Sequence, residues 1–189
     1  MDFFLKENNN FTPFSVQHAI VALFCICFGF ALIFITKKQT HKVQSIIGNI
    51  FTFSICFTVL LGTFVHLYKG NFNIQEDLPL HLCSFLALII PVLSVTKKFV
   101  YYEIFFFLIL AGTLQSLITP DEHNYLNFPF FRYWFVHAGL VVFMFFATFI
   151  YKMRPTLRSV GKSFLGMQAY MLFMFILNYF LGSNYFYTN

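Results

Sequence analysis

Apolar residues fill this chain in long runs, and short polar segments separate them. The runs cover residues 15–36, 43–68, 78–95, 99–118, 131–151 and 159–181. A helix needs about 20 residues to cross the hydrocarbon layer of a bilayer, so the runs have the length of membrane spans. Their β-branched and aromatic content would suit strands, but apolar residues occupy every face and the alternation of a membrane barrel is missing. Helices satisfy their own backbone polar groups in lipid. The pattern therefore predicts an all-α polytopic membrane protein with six transmembrane helices in one bundle. Short connections and the lack of any repeat make residues 1–189 a single transmembrane domain.

Composition strengthens that reading. Of 189 residues, 59% are hydrophobic, 22% aromatic and only 10% charged, against roughly 25% charged in a soluble domain. The net charge of +5 does not point to nucleic acid, because the bases sit in clusters between apolar runs. Lys37, Lys38 and Lys42 follow the first run, Lys97 and Lys98 the third, and Lys152, Arg154 and Arg158 the fifth. The opposite loops hold Asp2, Glu7, Glu76, Asp77, Asp121 and Glu122 against Lys6, Lys69 and Arg132. The positive-inside rule then puts both termini outside. The start of the chain lacks the charge order of a cleaved signal peptide, so the first span is expected to stay. Membrane lipids are the expected partners and no cofactor is expected. Cys25, Cys27, Cys56 and Cys83 all lie inside apolar runs, which argues against a disulfide framework.

Given that topology, depth follows from about 1.5 Å of rise per residue. Cys83, His137 and Gln115 fall about 6–9 Å below the outer ends of their helices. His18, His66 and Asn178 lie near the same level, and Asp121 and His123 sit in the loop just above. Uncompensated polar groups in lipid are costly and tend to face a cavity or a partner. A polar pocket near the outer leaflet, lined by His81, Gln115, Asp121, Asn178 and His66, is therefore expected. The alternative is plainer: polar residues tolerate helix ends, and imidazole can simply join two helices.

The segment LPLHLC at 78–83 opens the third run. Pro79 suits a first helical turn and Asp77 a cap or dipole partner. His81 and Cys83 are about 200° apart around a helix, so any base for Cys83 comes from another helix. His137 is the depth-matched candidate. A thiol beside an imidazole can act as a nucleophile, and Gln115 or Asn178 could donate to an oxyanion. Cys83 and His137 are thus the candidate catalytic pair of a lipid-active acyltransferase or thioesterase. A competing reading gives His66, His81 and His137 to a metal ion or polar solute, although no recognised ligand spacing is present. A third makes the protein a non-catalytic scaffold. Pro91, inside the third run, is expected to kink it.

LPLHLC, GTLQSLITPD, FRYWFVHAGL and LNYFLGSNYFY together resemble the YwaF-like integral membrane proteins of bacteria. That resemblance implies recurring residues at His81, Cys83, Gln115, Pro120, Asp121, His137, Asn178, Asn184 and Tyr185. It implies the bacterial cytoplasmic membrane as location, in keeping with a sequence rich in Phe, Asn, Ile and Lys. The YwaF-like proteins are in turn distantly similar to a eukaryotic family implicated in acyl transfer between phospholipids through a Cys and a His. This likeness supports Cys83 and His137. The YwaF-like pattern usually continues into a seventh, C-terminal helix, which is expected to be missing from this chain.

Overall fold

The computed structural model describes residues 11–120 and 127–187. Among these, six helices follow one another: α1 (Val16–Lys37), α2 (His41–Tyr68), α3 (Leu82–Thr96), α4 (Phe99–Ile118), α5 (Phe128–Phe149) and α6 (Leu157–Leu181). A 3₁₀ turn at Tyr185–Tyr187 follows α6. All but α3 are long and apolar enough to cross a membrane, and no strand occurs among the described residues. The all-α polytopic class read from the hydropathy pattern holds.

Side chains and glycine close the helix ends. Ser15 caps α1 by accepting from the His18 amide at 3.2 Å. Thr156 and Ser159 form a reciprocal capping box at the start of α6, which ends at Gly182 in the left-handed conformation. Such caps satisfy amides and carbonyls that no helical partner reaches. Asn127 accepts from the Phe130 amide at 2.9 Å, with Pro129 in the first turn. That cap explains why α5 begins at Phe128, three residues before its apolar run was expected to become helical.

The most buried helix is α5, whose Leu140, Phe143, Met144 and Phe146 pack with Ile55 of α2 and Ile90 of α3. Gly139 allows this approach, since a Cβ there would lie 2.9 Å from Ile55 Cδ1. By contrast α1 and α6 bury little and present Phe24, Phe30, Phe173 and Phe180 outward. In lipid that surface is the solvated one.

Two departures from the sequence expectation matter for the site. First, α3 starts at Leu82 rather than residue 78, and its N-cap is His81, not Asp77. Residues 78–81 are held from elsewhere: Tyr185 Oη accepts from the Leu78 amide at 2.9 Å, and Tyr170 Oη donates to the Leu80 carbonyl at 2.5 Å. At 15 residues, α3 rises only about 22 Å; it runs on through Pro91 to Thr96. Second, α4 contains a π-helical turn at Ile109–Thr113, a feature that often marks functional positions.

At the end carrying the α1–α2 loop, Glu103 of α4 is 3% exposed. It pairs with Lys162 of α6, and Ser159 Oγ donates to its Oε1 at 3.1 Å. Removing one partner of such a pair leaves a stranded charge, whereas replacing both with neutral groups does not. Lys162→Ala should therefore lower the thermal midpoint in detergent, and the double variant Glu103→Gln/Lys162→Met should recover most of the loss. Equal midpoints for wild type and Lys162→Ala would show that the pair does not hold α6.

Candidate functional site

At the other end of the bundle, the loop between α2 and α3 descends into a polar cup. The cup has a volume of about 210 Å³ and is lined by Thr63, His66, Glu76, Asp77, His81, Ser84 and Arg132, among others. Asp77 organises it. Its Oδ2 accepts from the Asn73 amide at 2.7 Å, and its Oδ1 lies 3.1 Å from His66 Nδ1. The carboxylate expected to cap α3 is thus used within its own loop and toward α2. Burial pushes the His81 imidazole below its ordinary range, so the ring is neutral at pH 7.

Arg132 enters the cup from α5 across Gly62 of α2. A Cβ at position 62 would meet the guanidinium Nε at 2.5 Å and Cζ at 2.7 Å, so a side chain there would push the guanidinium out of this crossing. Sequence reading counted Arg132 merely as a loop charge. The available signal was an arginine at the second position of the apolar run 131–151, which is costly unless it faces a cavity or the interface.

Cys83 points elsewhere. It is the second residue of α3, and its Sγ lies 3.6 Å from Thr113 Oγ1, at the end of the π turn. The Ser116 hydroxyl and the Tyr170 phenol are close by. The expected separation of faces holds: His81 and Ser84 line the cup, while Cys83 faces α4. The α3 N-terminus carries no side-chain cap, leaving its first-turn amides open to an acceptor.

His137 sits on α5, its ring 4.2 Å centroid to centroid from that of Tyr133. His137 Nδ1 is 2.8 Å from the Tyr133 carbonyl. A carbonyl can only accept, so Nδ1 carries the proton and Nε2 is the basic nitrogen. Tyr133 Oη donates in turn to the Ser116 carbonyl at 2.5 Å. Ser116 therefore stands between the two neighbourhoods, its hydroxyl beside Cys83 and its carbonyl tied to the tyrosine that supports His137.

Other expected members of one shared pocket are distributed differently. Gln115 is exposed and donates to Thr119 Oγ1 on its own helix at 2.9 Å. Asn178 is fully buried and folds the C-terminal turn: its Nδ2 donates to the Tyr185 carbonyl at 2.7 Å, and its Oδ1 accepts from the Tyr185 amide and Ser183 Oγ. Asn178 is therefore a support for Tyr185 rather than a lining residue of the cup. Tyr185 Oη donates to the Ile74 carbonyl at 2.7 Å, so Asn178 acts on the cup through the α2–α3 loop. His18 Nε2 is 2.9 Å from the Leu117 carbonyl and its Nδ1 accepts from the Phe14 amide, which ties α1 to α4. Asp121 and His123 lie outside the described residues.

A metal reading of His66, His81 and His137 finds no support here. Among the described residues no group of three or more His, Cys, Asp or Glu could hold an ion. His66 and His81 border the cup, whereas His137 packs on Tyr133.

A second hollow, about 430 Å³ and almost wholly apolar, lies between α1, α2 and α5, walled by Phe24, Phe28, Phe51, Trp134 and Phe135. The bundle thus has a polar cup at one end and an apolar groove on its flank.

One family model, described as the TMEM164 family, matches residues 13–189. The chain belongs to the TMEM164 family. This is a membrane protein family, and the match spans all six helices and the C-terminal turn. The match gives no evidence for the expected YwaF-like kinship or for a bacterial origin. No curated protein and no solved structure matches this TMEM164-family chain. Its site is therefore read from its own geometry.

Proposed function

We propose that this protein is a lipid-active membrane enzyme that moves an acyl chain through Cys83, with His137 as the base. The observation that carries the reading is the place of the end of α4 between the two side chains: Thr113 Oγ1 lies 3.6 Å from Cys83 Sγ, and one turn on, the Ser116 carbonyl anchors the tyrosine that supports His137.

In the first half-reaction His137 Nε2 takes the thiol proton, and the sulfur attacks the ester carbonyl of a phospholipid acyl chain. The open amides at the start of α3 and the Thr113 hydroxyl are the available donors for the oxyanion. The carbon–oxygen bond to glycerol then breaks, and the leaving alkoxide takes the proton from His137. The products are an acyl thioester on Cys83 and a lysophospholipid. In the second half an acceptor hydroxyl attacks the thioester, gives its proton to His137, and the sulfur leaves and is reprotonated. The thiolate, not the thiol, is the nucleophile, so a base is required. The positive end of α3 favours the charge that develops on sulfur.

The test is acyl labelling. Purified protein incubated with an alkyne-bearing phospholipid should become labelled, and neutral hydroxylamine should release the label as expected for a thioester. Absence of labelling across phospholipid classes would remove the enzyme reading and leave a lipid-binding membrane protein.

The cluster of bases in the α1–α2, α3–α4 and α5–α6 loops supports an orientation with those loops cytoplasmic and both termini outside. The YwaF-like motifs support a bacterial cytoplasmic membrane. A cysteine introduced at Asn73 should then react with an impermeant maleimide in whole cells, and one at Gln39 should not. Labelling at position 39 alone would invert the orientation.

A further inference from the structure

The polar cup contains a group that neither the fold nor the acyl-transfer chemistry uses. Among the described residues, nothing accepts a hydrogen bond from the Arg132 guanidinium. Asp77 acts on it through space but forms no ion pair with it, its close partner being His66. Five N–H donors in a fixed planar fork thus stand without an acceptor on the wall of a cavity. The approach is built in, since Gly62 supplies the gap through which the side chain passes.

The other walls narrow the ligand. Thr63 and Ser84 supply hydroxyls and His66 and His81 supply imidazoles, so donors surround the guanidinium. Glu76 and Asp77 share the same cup and repel a dianion. A singly charged group with two free oxygens matches the arginine fork and tolerates the acids. That description fits a phosphodiester better than a phosphomonoester.

We infer that Arg132, with Thr63, Ser84, His66 and His81 around it, forms a binding site for the phosphodiester of a phospholipid headgroup. The inference rests on the acyl-transfer reading only for the identity of the lipid as substrate. The site itself would exist on a protein that binds lipid without reacting. Ser84 lines the cup and Cys83, its neighbour on the first turn of α3, faces α4. A headgroup seated on Arg132 would therefore hold its glycerol beside the start of that helix.

The experiment measures equilibrium binding to the full chain carrying Cys83→Ala in dodecyl maltoside micelles, so that no transfer can occur. The probes are NBD-labelled phosphatidylglycerol and NBD-labelled diacylglycerol, which differ by the headgroup phosphodiester. Arg132→Ala should weaken phosphatidylglycerol binding by about tenfold or more, the loss expected for charge-assisted hydrogen bonds, and leave diacylglycerol unchanged. Gly62→Leu keeps every charge but blocks the crossing, and should have the same selective effect. Arg132→Lys should recover part of the affinity. Unchanged phosphatidylglycerol binding in both Arg132→Ala and Gly62→Leu would overturn the proposal, and so would equal loss of both lipids. Millimolar inorganic phosphate or glycerophosphoglycerol should compete poorly. Full displacement by either at that concentration would assign the cup to a soluble anion and overturn the lipid assignment. Failure of acyl labelling with selective phospholipid binding intact would sink the enzyme reading and leave this site standing.

Discussion

Cys83→Ala is expected to abolish hydroxylamine-sensitive acyl labelling completely, because no other cysteine stands at the start of a helix among polar side chains. Cys25, Cys27 and Cys56 lie within long apolar helices, with the Cys56 thiol 3.9 Å from the Leu88 carbonyl. His137→Ala should reduce the labelling rate by about 10²–10⁴-fold, the range for loss of a general base. The double variant should be no worse than Cys83→Ala, since a nucleophile and its base act as one unit. Tyr133→Phe is the finer probe. It keeps the ring on His137 and loses the hydrogen bond to the Ser116 carbonyl, so the rate should fall while the thermal midpoint barely moves. An unchanged rate in Tyr133→Phe would mean that the link through Ser116 does not align the pair, and undiminished labelling in Cys83→Ala would place the acyl group elsewhere.

Asn178→Ala is expected to have the largest effect on stability. The side chain is 0% exposed and makes three hydrogen bonds to the turn that follows α6. Stranding buried partners costs about 1–3 kcal/mol each, less than additively, so a total of about 3 kcal/mol follows. The consequence should travel. Tyr185 is buried, which pushes its phenol above its ordinary range and keeps the O–H as a donor, and that donor holds Ile74 while its oxygen accepts from Leu78. Loss of Asn178 should therefore speed hydrogen exchange at the Leu78 amide, far away in sequence, along with a lower midpoint. A lower midpoint with unchanged exchange at Leu78 would confine Asn178 to the C-terminal turn.

The helices were legible because lipid demands a continuous apolar surface, and a run such as 159–181 carries that demand in every residue. Boundaries were less so. Asp77 and Pro79 carry the local signature of a helix start, yet hydroxyls of Tyr170 and Tyr185 capture residues 78–80 from more than 80 positions away, and local sequence contains no trace of them. The split between Cys83 and His81 was legible from helical geometry alone. The assembly of one common pocket was not, since depth fixes only one coordinate and leaves direction around each helix open. Gln115 shares the level of Cys83 but turns outward, and Arg132 turns inward across a glycine that only the packed structure reveals as a gap. The π turn at 109–113 had no signal beyond an ordinary apolar stretch, ILAGT.

That turn makes chain length in α4 a functional variable. A π turn closes on i→i+5 bonds and so takes up one residue more than an α turn would. Deleting any one residue between 109 and 113 would leave a shorter, regular and more relaxed α-helix. With Thr113 itself kept, the residues beyond the turn would hold nearly the same face relative to residues 99–108, because the wider turn spends its extra residue on the same circuit. Deleting one residue from the regular turns at 99–108 would instead rotate everything beyond it by about 100° and swing Thr113 and Ser116, with the carbonyl that Tyr133 holds, away from Cys83. The π turn is thus a place in α4 where a codon can be lost with the site still in register, and the regular helix before it is not.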